Sequence, residues 1–455
     1  MKRIISKTES LCPVCLKKIN AIIWTKDNET YLEKSCPEHG RFKALLWRGS
    51  IPIEKWVRPK IPAVIKRPNT SIDKGCPFDC GLCAAHRQHT CTALIEVTQR
   101  CNLRCSFCFA DANGDIKDDL SMEQLEFMYN RVMQTSGNCN IQLSGGEPTL
   151  RDDLPDIIKL GHEMGFSFIQ INTNGIRLGE DEAYVKALKE AGLNSVFLQF
   201  DGTEDEIFQK LRGKSLLAVK TKALDNCRKY RIGVVLVPTL VRGINDHNIG
   251  SIIDFAASWN PTVKGVHFQP ASYFGRIPGL PVEAKRLTLG ELMDQIEMQT
   301  EGRILKSGFS PPGCENARCS FLGSYLVQPN KTLTLLQSAA KCCEKVENAE
   351  VGAQKTKAQV AQKWASSEII RDPRINKHEE KKQLDHQQDQ WDEILNEIRQ
   401  SSFSLSAMAF QDVWNVDLER VKDCCIHVVN PKGQLIPFCL YNLTNINGQS
   451  IYRNQ

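Results

Sequence analysis

Cys101-Asn-Leu-Arg-Cys105-Ser-Phe-Cys108 sets three thiols at the spacing C-x3-C-x2-C, just after the short apolar run Ala93-Leu-Ile-Glu-Val97. Cysteine thiolates hold iron–sulfur clusters, and a cubane of four irons ordinarily takes four of them. Three ligands leave one iron open, and an open coordination position separates a catalytic metal site from a structural one. The open iron can hold a small chelating ligand, to which the cluster can pass an electron. A zinc knuckle is the plainer alternative; the motifs downstream argue against it.

From about residue 93 to 270 the pattern alternates strand and helix. Apolar strand runs fall at 93–97, 140–143, 166–171, 195–200, 233–237 and 263–268. The segments between them carry 3.6-residue periodicity. One presents Leu125, Met128, Tyr129 and Val132 behind a Ser121…Gln124 capping box. Another presents Leu154, Ile157, Ile158 and Gly161 and is opened by Asp152, and a third presents Ile249, Ile252, Ile253 and Ala256. Six strand–helix repeats imply an α/β fold with a parallel sheet and right-handed crossovers. Periodicity alone leaves a flat doubly wound sheet and a curved partial barrel both open.

Polar motifs gather where the strands end. They are Ser144-Gly145-Gly146-Glu147-Pro148, Asn172-Thr-Asn174-Gly175, Asp201-Gly202, Pro238-Thr239 and Gln269-Pro270. In α/β barrels the C-terminal strand ends build the active site. The cysteine loop and these motifs share that end. Glycines allow a ligand close to the backbone, and Glu147 can pair with an ammonium. Asn172, Asn174, Asp201 and Phe107 stand at the same end as candidate ligand-binding residues. Asn174-Gly175 also reads as a plain turn, and Asp201 as a helix cap.

Upstream, Cys12-Pro-Val-Cys15 and Cys36-Pro-Glu-His39 give C-x2-C-x20-C-x2-H. Two tight turns joined by a hairpin-length segment can set four ligands tetrahedrally around a mononuclear zinc or iron. Pro52, Pro59, Pro62 and Pro68 mark an extended linker. Next comes Cys76-Pro-Phe-Asp-Cys80-Gly-Leu-Cys83, a second C-x3-C-x2-C, with Cys91 eight residues on. Cys91 as fourth ligand would close an auxiliary electron-transfer cluster; His86, His89 or a C-terminal cysteine are the alternatives. A cluster completed by Cys91 would lie near the barrel floor, away from substrate.

Beyond residue 300, Cys314, Cys319, Cys425 and Cys439 are candidate ligands of a further auxiliary cluster, with Cys342-Cys343 and Cys424 close to them in sequence. Residues 344–390 are rich in Lys, Glu, Gln and Asp and read as a solvated helical excursion; helical register returns at Trp391, Ile394, Leu395 and Ile398. Cys139 and Cys227 stand alone and read as buried thiols. The expected units are a metal domain at 1–60, a linker and auxiliary-cluster segment at 61–92, a core at 93–300 and an extension at 301–455.

The 455 residues carry 24% charged and 41% apolar residues and a net charge of +5. That balance gives no argument for nucleic acid. The nineteen cysteines come in close-spaced groups through a long chain, unlike a small disulfide scaffold. No run approaches the ~18 apolar residues of a membrane span, and Met1-Lys-Arg-Ile-Ile-Ser-Lys7 lacks the apolar centre of a signal peptide. The expectation is a reducing, cytoplasmic compartment with cysteines used for metal.

Residues 93–270 resemble the radical S-adenosylmethionine (radical SAM) superfamily, in the three-cysteine loop with Phe107 before its last cysteine and in Gly145-Gly146-Glu147. The resemblance implies a partial (β/α)6 TIM-type barrel. It implies a [4Fe-4S] cluster on Cys101, Cys105 and Cys108 whose open iron is chelated by S-adenosylmethionine, with Gly145–Glu147 at the methionine amino group. It implies reductive cleavage to a 5′-deoxyadenosyl radical that abstracts hydrogen from a substrate. Over nearly the whole chain, CPxC…CPEHG, GCPFDCGLC and the tail from Cys425 to Thr444 resemble the subgroup of tetraether lipid synthases and pterin methylases. The Cys314–Ser320 stretch and Cys424-Cys425 resemble its bacterial TrsS branch most. That subgroup implies carbon–carbon bond formation or methylation on a lipid or pterin, one or two auxiliary clusters, and a ferredoxin or flavodoxin donor. An oxidoreductase or peptide-modifying enzyme using auxiliary clusters as acceptors is the second expectation. A non-catalytic electron carrier is the third, disfavoured because it needs no Gly-Gly-Glu motif.

Overall fold

The computed structural model describes residues 2–112, 118–336, 346–365 and 398–453. Six strands, Thr92–Thr98, Asn140–Gly145, Ile169–Thr173, Ser195–Gln199, Gly233–Val237 and Val263–Pro270, pair in chain order, all parallel. The helices Met122–Ser136, Leu154–Glu163 and Ile249–Ser258 cover them with the periodic apolar faces read from the sequence. The Ser121–Gln124 capping box is formed. The third strand starts at Ile169 rather than 166, because Phe166 N still closes the preceding helix onto Gly161 O. The N-cap of the second helix is Asp153; Asp152 instead pairs with Arg177 at 2.7 Å.

The extension adds to this sheet on both sides. Ser402–Met408 lies parallel beside Val263–Pro270, and Ile426–Val429 lies parallel beside Thr92–Thr98. Eight parallel strands therefore run side by side, flanked by the antiparallel Ser320–Val327 and Leu435–Pro437. The two edges do not pair with each other among the described residues. The architecture is an open, partial barrel, and its C-terminal cysteines sit on segments that complete the sheet.

Arg3–Leu11, Lys18–Lys26, Glu29–Cys36 and Gly40–Arg48 form a separate four-stranded antiparallel ribbon. It docks through Lys34, whose buried ammonium donates to Val413 O (2.6 Å) and Ser10 Oγ (3.0 Å). Burial pulls that amine down to about 7.

The charged excursion is helical at Ala349–Trp364 but is not merely solvated. Ala349, Gly352 and Ala353 are buried, and Trp364 packs 5.2 Å from Phe197 and 6.3 Å from His267, both on barrel strands. Small residues on one face let this helix seat against the sheet despite its lysines. Trp391, Ile394, Leu395, Cys342 and Cys343 lie outside the described residues. No described helix is long and apolar enough to cross a membrane.

Candidate active site

One cavity of about 440 Å³ opens inside the barrel. Cys101, Cys105, Phe107, Cys108, Gly145, Gly146, Glu147, Asn172 and Asn174 all line it, at the C-terminal ends of the first three strands. The cysteine loop is tied to its neighbours through backbone groups. Gly146 N donates to Thr98 O and Glu147 N to Arg100 O, both at 2.8 Å. These bonds fix Cys101 beside the glycines.

The glycines are required by space. A Cβ on Gly145 would lie 2.1 Å from Thr98 O, and one on Gly146 2.1 Å from Arg100 O. Gly145 also has φ +121°, a region side chains rarely enter. The turn thus presents bare backbone to the cavity beside three thiols. Burial pushes the Cys101 thiol up to about 12 and raises Cys108. Such thiols ionise readily only with a cation to hold them. The donor set and the bare turn both fit an iron–sulfur cluster with a chelated ligand, and Asn172 adds a buried Oδ1 with no intramolecular partner.

Two expected ligand groups are engaged elsewhere. Glu147, 1% exposed, accepts from Thr149 N (3.1 Å), Thr149 Oγ1 (2.6 Å), Thr173 Oγ1 (2.6 Å) and Asn174 N (2.7 Å). Its carboxylate clamps two strand ends together instead of offering free oxygens to an ammonium. Asp201, fully buried, forms a two-pronged pair with Arg212: Nε and Nη2 each donate at 2.7 Å. Asp201 caps no helix and does not line the cavity. Its partner does: Arg212 Nη1 donates to Phe107 O at 3.2 Å. Asn174 does close the turn expected of it, accepting from Ile176 N, and also donates to Asn102 Oδ1.

Sequence reasoning missed Arg212, Arg276 and Lys220. Arg276 donates to Cys105 O at 3.2 Å and exchanges backbone bonds with Cys108. Lys220 is fully buried and donates to Asn174 O and Gln199 O at 2.6 Å, with burial pulling it down to about 7. Each sits in a helix or loop whose own pattern is ordinary, so only the tertiary fold reveals its role.

The remaining cysteines sort into groups. Cys12, Cys15, Cys36 and His39 have all ligand atoms within 4.8 Å, with His39 Nδ1 3.6 Å from Cys12 Sγ and 3.5 Å from Cys36 Sγ. That is the arrangement expected of the four. Cys91, expected beside Cys76, Cys80 and Cys83, instead meets Cys314 and Cys425 within the same span. The reason is register: Cys91 and Cys425 precede paired strands, and Cys91 N donates to Cys425 O at 2.8 Å. The expected set Cys314, Cys319, Cys425 and Cys439 is thereby divided. Cys319 accepts from Arg420 Nε (3.0 Å) and Cys439 from Gln411 N (3.3 Å). Cys76, Cys80 and Cys83 remain together in a separate loop, where Cys80 Sγ donates to Pro77 O at 3.3 Å. Burial pushes Cys139 and Cys227 up to about 12, as isolated interior thiols.

The cavity runs down the barrel from the cysteine loop. Asn140, Gln142, Gln170, Gln199, His267 and Gln269 line it from four of the six strands. Gln142 donates to Gln170 across neighbouring strands at 3.0 Å, and Asn140 Nδ2 has no intramolecular partner. His267 Nδ1 lies 2.8 Å from Ser406 Oγ, and burial holds its ring down to about 4, hence neutral. Lys363 and Trp364 of the Ala349–Trp364 helix contribute to the cavity wall, as do Cys91, Cys425 and Glu315.

The radical SAM superfamily model matches residues 95–256, and the HMPTM N-terminal zinc ribbon domain model matches residues 4–48. The 7,8-dihydro-6-hydroxymethylpterin dimethyltransferase of Methanocaldococcus jannaschii is 37% identical, with 96% of this chain and 93% of that protein covered. The GTP 3′,8-cyclase of Nautilia profundicola is 32% identical over 38% of this chain and 55% of that protein. Among solved structures, Streptococcus suis SuiB bound to precursor peptide SuiA aligns at 16% identity and a TM-score of 0.39, covering 48% of this chain and 46% of that one. With its three-cysteine loop set against a bare Gly-Gly turn at the strand ends, and a relative matched along nearly its whole length, this chain belongs to the radical SAM superfamily.

Proposed function

We propose that the protein methylates an unactivated carbon of a reduced pterin or a closely similar flat nitrogen heterocycle. The observation that carries this reading is a polar patch in a cavity wall that is otherwise largely apolar. Asn140, Gln142, Gln170, Gln199, Gln269 and His267 offer amides and an imidazole below the cofactor end. A hydrocarbon chain there would leave Asn140 Nδ2, which has no partner within the protein, unpaired, at a cost of ~1–3 kcal/mol for each such group stranded. A pterin brings ring nitrogens, an amino group and a carbonyl that can pair with them. The Methanocaldococcus jannaschii relative, named for a pterin, supports the same choice over a lipid.

Cys101, Cys105 and Cys108 would hold the cluster, and Gly145 and Gly146 would admit the methionine end of S-adenosylmethionine against bare backbone. When bound, the cluster and one S-adenosylmethionine would supply a hydrogen-abstracting radical, and the methyl group would come from the sulfonium of a second S-adenosylmethionine, released as S-adenosylhomocysteine. The chain's own part is positional. Arg212 and Arg276 hold the cysteine loop by its carbonyls. Asn172 Oδ1 is free to accept from the cofactor, and Glu147 keeps the two strand ends in register. Neutral His267 and the amides orient the heterocycle, and Trp364 helps exclude water. An electron donor of the ferredoxin or flavodoxin type and a reducing, cytoplasmic setting belong to the same reading.

The test is anaerobic incubation of the reduced, iron-loaded protein with S-adenosylmethionine and 7,8-dihydro-6-hydroxymethylpterin, followed by mass spectrometry. The expected result is a pterin heavier by one or two methylene units, with 5′-deoxyadenosine released. Release of 5′-deoxyadenosine with an unchanged pterin, alongside alkylation of an archaeal or bacterial lipid, would overturn the choice of substrate.

A further inference from the structure

We propose a second mononuclear metal centre at the end of the substrate cavity remote from Cys101, in which Cys91, Cys314 and Cys425 bind one zinc or iron(II) ion and Glu315 takes the fourth, displaceable position. The three thiols are 3%, 1% and 3% exposed, and their sulfur atoms all lie within 4.8 Å of one another. Among the described residues only one other group of potential ligands closes to that span, the ribbon set Cys12, Cys15, Cys36 and His39. Cys101, Cys105 and Cys108 do not, and neither do Cys76, Cys80 and Cys83. Within one molecule, then, the tight span marks a single ion, since metal–sulfur bonds of ~2.3 Å set tetrahedral ligands close together. A four-iron cubane spreads its ligands wider.

The three come from distant parts of the chain. Cys91 ends the segment before the Thr92–Thr98 strand, and Cys425 stands before Ile426–Val429. Cys314 is carried across on a loop fixed by Gln88 Nε2, which donates to Cys314 O at 2.6 Å. Cys91 and Cys314 lie at bonding distance, but their Cα atoms are 7.6 Å apart. Ordinary disulfides hold them at ~4.4–6.8 Å, and a disulfide would leave Cys425 as an idle third thiol.

The fourth corner is acidic. Glu315 Oε2 is 3.8 Å from Cys425 Sγ, and Ser320 Oγ donates to Oε1 at 2.5 Å and aims the carboxylate. Three thiolates and the Glu315 carboxylate around a divalent ion leave two net negative charges, one of them offset by Lys60, which donates to Glu315 O. Cys91, Cys425 and Glu315 also line the cavity that begins at Cys101. The strand between the two ends spans seven residues, or roughly 20 Å. A carboxylate among thiolates is the ligand most easily exchanged for an oxygen or nitrogen of a molecule in that cavity, so the centre can anchor the end of the substrate remote from the radical. It does not serve as the fourth corner of the Cys76, Cys80 and Cys83 site.

The experiment measures metal in the full-length chain, made and purified without oxygen, independently of any turnover. Zinc, iron and acid-labile sulfide are counted in the wild type, in Cys425→Ser, in Cys91→Ser/Cys314→Ser and in Glu315→Gln. The expected result is one metal ion fewer per chain in both cysteine variants with sulfide unchanged, and wild-type content in Glu315→Gln. On the wild type itself, alkylation of Cys91, Cys314 and Cys425 should rise at least tenfold after treatment with a chelator. Unchanged metal content, loss of about four irons with their sulfide, or a Cys91–Cys314 cross-link in anaerobically quenched protein would each overturn the proposal. So would alkylation of the wild type that ignores the chelator. A failed pterin assay would leave these readouts untouched, so the two readings fail separately.

Discussion

Arg212→Met tests the pair that the sequence did not reveal. The substitution keeps the length of an apolar stem but removes a guanidinium that donates twice to a fully buried Asp201. Breaking a buried ion pair from one side costs ~3–5 kcal/mol. Asp201 would keep Thr239 N at 3.1 Å and the Gln199 side chain, which places the loss near the lower bound, about 3 kcal/mol. At ~2–4 °C per kcal/mol for a unit of this size, the unfolding midpoint should fall by roughly 6–12 °C in anaerobic calorimetry. Asp201→Asn/Arg212→Met removes the stranded charge and should recover about half of that. The second consequence is separate. Phe107 O loses its donor, and the loop between Cys105 and Cys108 loosens. Formation of 5′-deoxyadenosine should therefore stay at least tenfold down even in the partly rescued double variant. A midpoint drop under 2 °C in the single variant, or wild-type cleavage in the double, would refute the reasoning.

Gly146→Ala should abolish S-adenosylmethionine binding while iron content stays near wild type, because its Cβ would strike Arg100 O at 2.1 Å and push the turn off the cysteine loop; normal binding by calorimetry would contradict this. Trp364→Ala should raise the KM for the heterocycle with little change in 5′-deoxyadenosine formed without it, and a change confined to the latter would place the ring elsewhere. Cys36→Ser should make residues 2–48 sensitive to protease while the barrel resists, and intact ribbon strands after metal loss would show that packing suffices. Acid should destabilise the fold: burial holds His86 and His267 at about 4 against an ordinary 6.5, so the unfolded chain takes up protons first as pH falls. Their stability is full above ~6.5 and is lost toward 4, about 1.4 kcal/mol each by pH 5.5; His267→Gln should flatten the midpoint-versus-pH curve, and an unchanged slope would contradict it.

Much of this was legible in the chain because it is local. The strand runs, the Ser121 cap, the ribbon knuckles and the Cys101–Cys108 loop all declare themselves within a dozen residues. The apolar run at 166–171 starts before the strand does, because Phe166 is apolar for a helix exit as readily as for a strand. Asp201 and Glu147 resemble ligands in the sequence because a carboxylate at a strand end looks the same whether it faces a cofactor or an arginine. Cys91 was joined to its sequence neighbours, yet its partners are 223 residues and more away and arrive only through strand pairing. The Ala349–Trp364 helix carries too few apolar residues to announce that small ones seat it against the barrel.

The two strands that the C-terminal segment lends to the sheet bear on how the protein is made. Thr92–Thr98 is synthesised long before its outer neighbour Ile426–Val429. Until then the nascent barrel presents both flanks of a parallel sheet as unpaired backbone, a template for wrong association. Pairings so distant in sequence also form slowly. A chain cut short after residue 400 would retain the cysteine loop and the Gly-Gly turn yet lack both closing strands and Cys425. The cell that makes this protein has reason to keep chaperones and iron delivery at hand until Ile426–Val429 has paired with Thr92–Thr98.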